Sequence, residues 1–323
     1  MTYDRYYYSI LSDADKQVYK KIYDGILAFE PHISLPDSET APEVILEYIG
    51  LDNPHIFYAD FSRCSICKSV FGKSIDITYW YTQAEFDELN GKVNNVLKKM
   101  LSRVCGKSDY EKELSVHDLL IENISYDFSA LENLRKHSPR SNSILGVLFY
   151  KTAVCEGVAK VYKMLLNMLD IKCIVAVGTE SKHRVPHAWN IVKIEGEAYH
   201  TDVTWDIDTS KTFRKYDYFN LTDADIVIDH SPKIRYPVCN CAKYNYFARN
   251  GYIARTPEDA QICLEQAEKA GKQYVSLKLD CEYSAFSRYV KEIIDYALSH
   301  GLIKGNVCRY SYNTEQQIVT VNF

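Results

Sequence analysis

The sequence lacks several features that would assign it to a specialised class. No uninterrupted apolar stretch of the 323 residues approaches the roughly 20 residues that a membrane-spanning helix needs. Residues 1–11 have neither the basic segment nor the apolar run of a signal peptide. Lys and Arg form no blocks and the net charge is -5, so there is no electrostatic footprint for nucleic acid. These absences predict a soluble, cytoplasmic protein that binds neither membranes nor nucleic acid.

The ten cysteines are too few and too irregularly spaced for a disulfide scaffold in a chain of this length. In a reducing compartment, most of them should be free thiols that pack as small apolar side chains. Cys64 and Cys67 form a C-x-x-C motif, and Cys239 and Cys241 form a C-x-C motif, so four thiolates could together bind zinc. Because the tight double C-x-x-C spacing is missing, we interpret these cysteines as incidental and predict no metal and no cofactor.

Hydrophobic residues make up 46% of the sequence and aromatic residues 13%, which argues against disorder. A chain of this length exceeds one small domain. The residue patterns predict three units: an N-terminal α+β region at 1–105, a core at 106–240 and a C-terminal α/β accessory domain at 241–323. In the first unit, 55–61 and 74–81 have the composition of strands, with a turn at 63–72. The last unit ends in a predicted hairpin of 307–310 and 318–321.

Cys155 begins a predicted amphipathic helix. Apolar residues follow it at helical spacing without a break: Val158, Val161, Tyr162, Leu165, Leu166 and Leu169. Backbone N–H groups are unpaired in the first turn of a helix and the dipole there is positive, and both effects favour a thiolate. The thiolate is the nucleophilic form of cysteine, so Cys155 is a candidate nucleophile. Cysteine is nevertheless often buried and inert, and the position alone does not settle its role.

A predicted hairpin supplies a histidine and a carboxylate. Residues 187–194 and 197–204 flank the dipeptide Glu-Gly, which signals a two-residue turn. With that turn, His187 and Asp202 are diagonal neighbours on one face, their Cβ atoms about 7 Å apart. Such a carboxylate can orient an imidazole. Asp206 lies on the other diagonal from His187, so the same register places it equally close to the imidazole, although it is nearer the strand end. A bulge would change which side chains share the face.

These segments resemble the core of the transglutaminase-like superfamily, a variant of the papain architecture. Two segments carry this resemblance. The first is VCEGVAKVYKMLLNMLDIKC, with Cys-x-Gly at the helix start, and the second is HAWNIVKIEGEAYHTDVTWD, with His-Ala-Trp and Asp-x-Thr-Trp-Asp. The resemblance implies an α+β fold in which a helix carrying the nucleophile at its N-terminus packs on an antiparallel sheet. It implies Cys155 as nucleophile, His187 as base and Asp202, in preference to Asp206, as the orienting acid.

The strong motifs cover about 145–206 and leave the N-terminal region and the tail unexplained. Two positions depart from the family pattern. Ala198 stands where tryptophan is frequent, which would reshape a nearby pocket. Asp170 replaces the usual helix-stopping glycine. Aspartate tolerates the left-handed backbone conformation better than most residues do, so the fold should survive this change.

The resemblance implies thiol-dependent acyl transfer on peptide or protein amides, with the Cys155 N–H as the first oxyanion donor. Tyr150 and Trp189 are candidates for the second donor and for substrate binding. The acyl group could pass to water, as in a cysteine protease, or to an amine, as in a transglutaminase. Two alternatives stay open. One is a catalytically silent binding or scaffold module. The other is a peptide N-glycanase-like amidase, which predicts zinc near Cys64 and Cys67.

Overall fold

The computed structural model describes five stretches of the chain: 4–70, 72–132, 141–207, 212–303 and 310–323. Helices and sheets are interspersed along these stretches, which confirms the predicted α+β class. Among the described residues, no helix combines the length and the apolar character that crossing a lipid bilayer requires.

The N-terminal elements extend to residue 101. They are α1 (Tyr6–Ile10), α2 (Asp13–Leu27), β1 (His32–Leu35), α3 (Pro42–Asp52), β2 (Ser65–Ser69), β3 (Gly72–Asp76) and α4 (Gln83–Leu101). Ser12 caps α2, because its hydroxyl accepts the Asp15 N–H. Strands β1, β3 and β2 form an antiparallel sheet in that order, with its own hydrophobic core against α2 and α3.

One strand prediction and one turn prediction in this region were wrong, and the strand predicted at 74–81 is confirmed only over 74–76. Residues 55–61 form turns with a single bridge from Ala59 to Tyr79, whereas β2 lies inside the segment that was predicted as a turn. Ile56, Phe57 and Tyr58 are buried at consecutive positions, so this apolar run is a buried loop and lacks the alternation of a half-buried strand. Strand β2 is mostly exposed and polar, and it is a strand because its backbone pairs with β3.

The central elements surround one helix. They are α5 (Asp109–Asn123), β4 (Ser125–Tyr126), α6 (Phe128–Glu132), a π-helical turn (Gly146–Tyr150), β5 (Thr152–Ala153), α7 (Cys155–Met168), β6 (Cys173–Glu180), β7 (Pro186–Ile194), β8 (Glu197–Thr201), α8 (Asp223–Ile226) and β9 (His230–Pro232). The sheet order is β8-β7-β6-β9, with every pair antiparallel. Helix α7 packs against β6 and β7. Asp170 follows this helix with a φ of 61°, in the left-handed conformation.

The β7–β8 hairpin has the predicted register, with Ile194 paired to Glu197. Glu195 and Gly196 have φ angles of 50° and 93°, as a two-residue turn with two positive φ angles requires. The predicted second strand, however, is too long. The ladder ends at Thr201, because the next N–H group bonds to a carbonyl outside the hairpin.

The C-terminal region (residues 241–323) contains a second mixed layer. Its elements are α9 (Tyr246–Asn250), β10 (Ile253–Ala254), α10 (Pro257–Lys269), β11 (Tyr274–Leu279), a 3-10 turn (Tyr283–Ala285), α11 (Phe286–Ser299), β12 (Tyr310–Asn313) and β13 (Ile318–Asn322). The sheet order is β10-β11-β13-β12, and helices α10 and α11 pack with it around a separate core. Residues 307–309 of the predicted hairpin lie outside the described residues.

A buried lysine of α7 anchors the N-terminal region to the central one. Lys163 Nζ donates to the backbone oxygens of Asp4 at 2.8 Å, Leu51 at 3.2 Å and Asp52 at 3.0 Å. The Asp52 carboxylate lies 4.0 Å away and accepts backbone N–H groups of α1. Burial lowers the pKa of Lys163 and raises the pKa of Asp52, and each charge partly offsets the shift of the other. The two regions are therefore joined by a buried polar contact.

Candidate active site

Cys155 occupies the first turn of α7. Val154 precedes it in an extended conformation and makes no side-chain cap, so no side chain of that residue occupies the open N–H groups of the turn. The Cys-x-Gly motif needs glycine at its third position for a steric reason. A Cβ on Gly157 would lie 2.9 Å from the oxygen of Ser143 and 3.1 Å from the Cβ of Ala153. The helix start therefore runs closely past the preceding loop, and this contact fixes the position of Cys155.

His187 and Asp202 form a short, buried hydrogen bond. The distance between His187 Nε2 and Asp202 Oδ2 is 2.6 Å, and the two residues are 8% and 0% exposed. Cys155 lies close enough to this imidazole to raise its pKa by hydrogen bonding and by charge. Because Nε2 is engaged with the carboxylate, Nδ1 is the ring nitrogen that remains for sulfur. The structure thus brings the three predicted residues together.

The electrostatics of this group favour a charged imidazole. Burial by itself would lower the pKa of His187, but Asp202 and Cys155 raise it to about 10. Burial would likewise raise the pKa of Asp202, yet the neighbouring imidazoles hold it well below its usual range. Its Oδ1 atom accepts the N–H groups of Thr204 at 2.9 Å and Trp205 at 3.3 Å. At neutral pH these shifts favour a protonated imidazole and an ionised carboxylate.

Asp206, the other carboxylate considered, belongs to a different pair. Its Oδ2 atom lies 3.0 Å from Nε2 of His117 on α5, and both side chains are fully buried. The predicted hairpin register does not apply to Asp206, because β8 stops at Thr201 and the chain then turns. Burial would lower the pKa of His117, but Asp118 and Asp206 raise it to about 9. This pair stabilises the fold beside the site and does not contact Cys155.

The raised pKa of His117 predicts that the protein loses stability as the solution becomes alkaline. Histidine titrates near 6.5 in an unfolded chain, so this stabilisation is complete below that pH and disappears as the pH rises through about 9. We expect the thermal unfolding midpoint to fall over this interval, and to fall less steeply in a His117→Gln variant. Parallel curves for the two proteins would contradict the assignment. Unfolding scans at closely spaced pH values make the measurement.

The two candidates for the second oxyanion donor are in different surroundings. Trp189 is 1% exposed, and its Nε1–H donates to Nδ1 of His200 at 3.0 Å. This indole N–H is therefore occupied by a neighbouring side chain. Tyr150 ends the π-helical turn before Cys155 and is 52% exposed. Only Tyr150 has the exposure that contact with a substrate would need. Ala198, which stands where the family pattern often has tryptophan, is partly buried against the cluster that contains Trp189.

Two residues near the site were missed in the sequence. His230 Nε2 lies 3.1 Å from Asp202 Oδ2, so two histidines share one carboxylate oxygen. Burial raises the pKa of the Tyr126 phenol, and the charges of Cys155 and Asp202 raise it further. Both residues lie outside the recognised motifs. The only signal for His230 was the adjacent pair Asp-His, and Tyr126 had none, because both reach the site through non-local strand pairing.

Two groups of described residues have ligand atoms spaced as in a metal site: His187 with Asp202 and His230, and His200 with Asp223 and Cys239. In the first group, both imidazole Nε2 atoms point at Asp202 Oδ2 and carry the protons of those hydrogen bonds. In the second, Trp189 donates to His200 Nδ1, so Nε2 carries the proton shared with Asp223 at 2.9 Å. A metal binds unprotonated imidazole nitrogen, so in both groups it would have to displace these protons.

The cysteines considered as zinc ligands lie in separate places. Cys64 packs in the N-terminal core and Cys67 is exposed beside Asp76. Cys239 is buried in the cluster that contains Trp189, and Cys241 packs against the large central core. Within the described part of the chain, the C-x-x-C and C-x-C pairs do not share a ligand group. The N-glycanase-like alternative therefore has no support from their placement.

Comparison with known proteins agrees with this geometry. The family model of the transglutaminase-like superfamily matches residues 98–205, which include Cys155, His187 and Asp202. We refer to the matched residues 98–205 as the transglutaminase-like core. The match begins in the last turn of α4 and ends just after β8. The transglutaminase-like core thus includes the three residues but excludes β9 and the whole C-terminal region.

Relatives of the transglutaminase-like core are distant. Mouse kyphoscoliosis peptidase is 25% identical over 161 residues, which cover 45% of this chain and 23% of the mouse protein. The human protein is 25% identical over 142 residues, which cover 39% of this chain and 21% of the human protein. The chain therefore spans less than a quarter of the length of these relatives. A solved TGase structure covers 44% of each chain, at 15% identity and a TM-score of 0.33.

Proposed function

We propose that this protein is a cysteine-dependent acyl-transfer enzyme that acts on peptide or protein amides. In this proposal Cys155 is the nucleophile, His187 the acid and base, and Asp202 the carboxylate that orients the imidazole. The observation that carries it is the 2.6 Å bond from His187 to Asp202, with Cys155 close enough to the same imidazole to raise its pKa. The relatives, at 25% identity, include a peptidase, which supports a peptide or protein substrate.

The first half of the reaction forms a thioester. The Cys155 thiolate attacks the carbonyl carbon of an amide, and the carbonyl oxygen becomes an oxyanion. The backbone N–H of Cys155, at the open start of α7, donates to that oxygen. His187 then transfers its Nδ1 proton to the departing nitrogen, and the carbon–nitrogen bond breaks. The amine leaves, and the acyl group stays on sulfur.

The second half returns the thiol. Neutral His187 removes a proton from water or from an amine, and the resulting nucleophile attacks the thioester carbon. The carbon–sulfur bond breaks, and the thiolate re-forms beside the protonated imidazole. Water as acceptor gives a hydrolase, and an amine gives a transglutaminase-like acyltransferase. Asp202 keeps the proton on Nε2 throughout, so that Nδ1 is the nitrogen that cycles.

Tyr126 is the side chain that we infer to be the second oxyanion donor. Its phenol stays protonated because burial and the charges of Cys155 and Asp202 raise its pKa. Strand β4 pairs with β5, which places Tyr126 opposite Ala153, just before α7. A donor that keeps its proton beside the nucleophile matches what an oxyanion requires. It replaces Trp189, whose N–H is occupied by His200.

A peptide pool incubated with the protein, with and without monodansylcadaverine, tests the proposal. Mass spectrometry distinguishes three products: cleaved backbone, deamidated glutamine and glutamine coupled to the amine. We expect at least one product with the native chain and none with Cys155→Ala. A Tyr126→Phe variant should lower the rate about 100-fold, as loss of one oxyanion donor does elsewhere.

Two results would argue against an enzyme. Equal product with Cys155→Ala would exclude the thiol as nucleophile. A complete lack of product, together with iodoacetamide labelling of Cys155 no faster than of exposed Cys67, would favour the silent binding module. Rapid, selective labelling of Cys155 without peptide turnover would instead indicate a different acyl substrate.

A further inference from the structure

His230 is buried between two carboxylates. Its Nε2 atom lies 3.1 Å from Asp202 Oδ2, and its Nδ1 atom lies 2.6 Å from Asp229 Oδ1. Ionised carboxylates only accept hydrogen bonds, so both ring nitrogens carry protons. Burial would lower the pKa of His230, but Asp202 and Asp229 raise it. The ring is therefore an imidazolium with no exposure to substrate, since the residue is 1% exposed.

Asp229 is held from the C-terminal region. Its Oδ2 atom accepts the Tyr218 hydroxyl at 2.7 Å and the Gln316 amide at 3.2 Å. Gln316 lies in the turn between β12 and β13 and is 1% exposed. The same amide donates to the backbone oxygen of Asp225 at 3.1 Å. A continuous row of hydrogen bonds thus begins in the C-terminal region and reaches Asp202 through Asp229 and His230.

Gly178 makes this approach possible. Strand β9 carries His230 and pairs with β6, where Gly178 lies opposite Pro232. A Cβ at Gly178 would collide with the backbone oxygen of Ser231 and would lie 2.9 Å from the ring of Trp189. The strand can therefore come close enough to present His230 to Asp202 only where β6 has no side chain. The position of His230 in the row is therefore set by the pairing of β9 with β6.

We propose that His230, Asp229 and Gln316 are positioning residues for Asp202, through which the C-terminal region completes the active site. The inference rests on the proposed function of Cys155, His187 and Asp202. Backbone N–H groups hold Asp202 Oδ1, whereas Oδ2 bonds, among the described residues, only to the two imidazoles. Without His230, the oxygen that orients His187 keeps a single partner. Oδ2 can then shift about the fixed Oδ1, and the imidazole loses its fixed direction towards sulfur.

The surroundings of His230 define what a pH profile reports. The titratable side chains that face it or its partner are Asp202, Asp229, His187 and Tyr218. Indole rings close the other sides, with the ring centroids of Trp205 at 4.4 Å and Trp189 at 5.0 Å. A change confined to Gln316 leaves all of these groups in place, and it removes the amide that donates to Asp229 and to the backbone oxygen of Asp225.

The experiment measures iodoacetamide alkylation of Cys155 in the full chain across pH, followed by site-resolved mass spectrometry. The test variant is Gln316→Ala. Thr320→Val is the matched control, because it removes one buried hydrogen bond of the same region, to Ser276 at 2.7 Å, away from the row. We expect Gln316→Ala to slow alkylation at neutral pH about tenfold and to shift the profile, as loss of outer hydrogen-bond partners does at ligating histidines. Thr320→Val should keep the native profile.

Histidine-selective ¹⁵N spectra provide a second readout that is independent of reactivity. Gln316→Ala should move the ring-nitrogen signals of His230 and His187, and Thr320→Val should not. Native-like spectra and alkylation in Gln316→Ala would overturn the inference while leaving the proposed function intact. Conversely, a native Cys155 no more reactive than Cys67 would remove the proposed function, and the spectra would still decide whether the row couples Gln316 to the two histidines.

Discussion

Replacing Asp202 with asparagine should reduce acyl transfer by about 10³–10⁴-fold, the loss seen when a triad carboxylate becomes an amide. Two backbone N–H groups fix Oδ1, so the new NH₂ group would take the place of Oδ2 and face His187. The N–H of the new amide would then face the Nε2–H of His187, and two donors cannot hydrogen-bond to each other. The imidazole must move its proton to Nδ1, and this nitrogen can no longer accept the thiol proton of Cys155. Turnover of a peptide identified in the pool, and alkylation of Cys155 at neutral pH, measure the effect.

Asp206→Asn is the matched control for that experiment. Asp206 is as buried as Asp202 and also bonds to a histidine, but its partner is His117 on α5. The variant should unfold at a lower temperature, because a buried imidazolium loses its carboxylate. Its turnover and its Cys155 reactivity should stay close to those of the native chain. If Asp206→Asn abolishes turnover and Asp202→Asn does not, the orienting acid has been assigned to the wrong residue.

Lys163→Met should lower the free energy of unfolding by about 3–5 kcal/mol, as expected when one partner of a buried ion pair is removed. The change leaves the Asp52 carboxylate without its cation and leaves three backbone oxygens without their donor. Because natural proteins are stable by only about 5–15 kcal/mol, this loss is a large fraction of the total. Equilibrium unfolding in urea measures it, and limited proteolysis shows whether α1 and α3 leave the surface of α7.

Lys92→Met is the comparison for the lysine experiment. Lys92 bonds to Glu88 at 2.6 Å on the exposed face of α4, and both side chains are well solvated. Exposed pairs contribute at most about 1 kcal/mol, so this variant should unfold almost as the native chain does. Equal stability of Lys163→Met and Lys92→Met would mean that the N-terminal region is held mainly by its apolar contacts with the central region.

Local patterns were sufficient for the elements that carry the candidate site. Helical spacing after Cys155 predicted α7, and the Glu195–Gly196 turn predicted the register of the hairpin that follows. These features depend on neighbours a few residues apart, so the sequence contains them directly. The same holds for the left-handed Asp170. The boundaries of the three units stay a prediction.

Patterns were insufficient where pairing is distant. An exposed polar segment became β2 because β3 lay beside it, and a consecutive apolar run became a buried loop. The choice between Asp202 and Asp206 also depended on a contact between residues far apart in sequence. Strand β8 ends because the Asp202 N–H bonds to the carbonyl of Tyr218, 16 residues further along the chain, and no longer to β7. The hairpin register predicted from the sequence could not show where the strand ends, and the family resemblance was the reason for preferring Asp202.

The chain by itself determined the nucleophile helix, the turn and the residue types of the candidate triad, because helix and hairpin geometry follow from nearby residues. Only the tertiary structure determined that His230 shares Asp202 with His187, and that Gln316 supports this contact from the C-terminal region. These contacts join residues far apart in sequence through β9 and the β12–β13 turn. The contact of His230 with Asp202 also needs the close approach of β9 to β6 that Gly178 allows, and this approach exists only when the sheet is assembled.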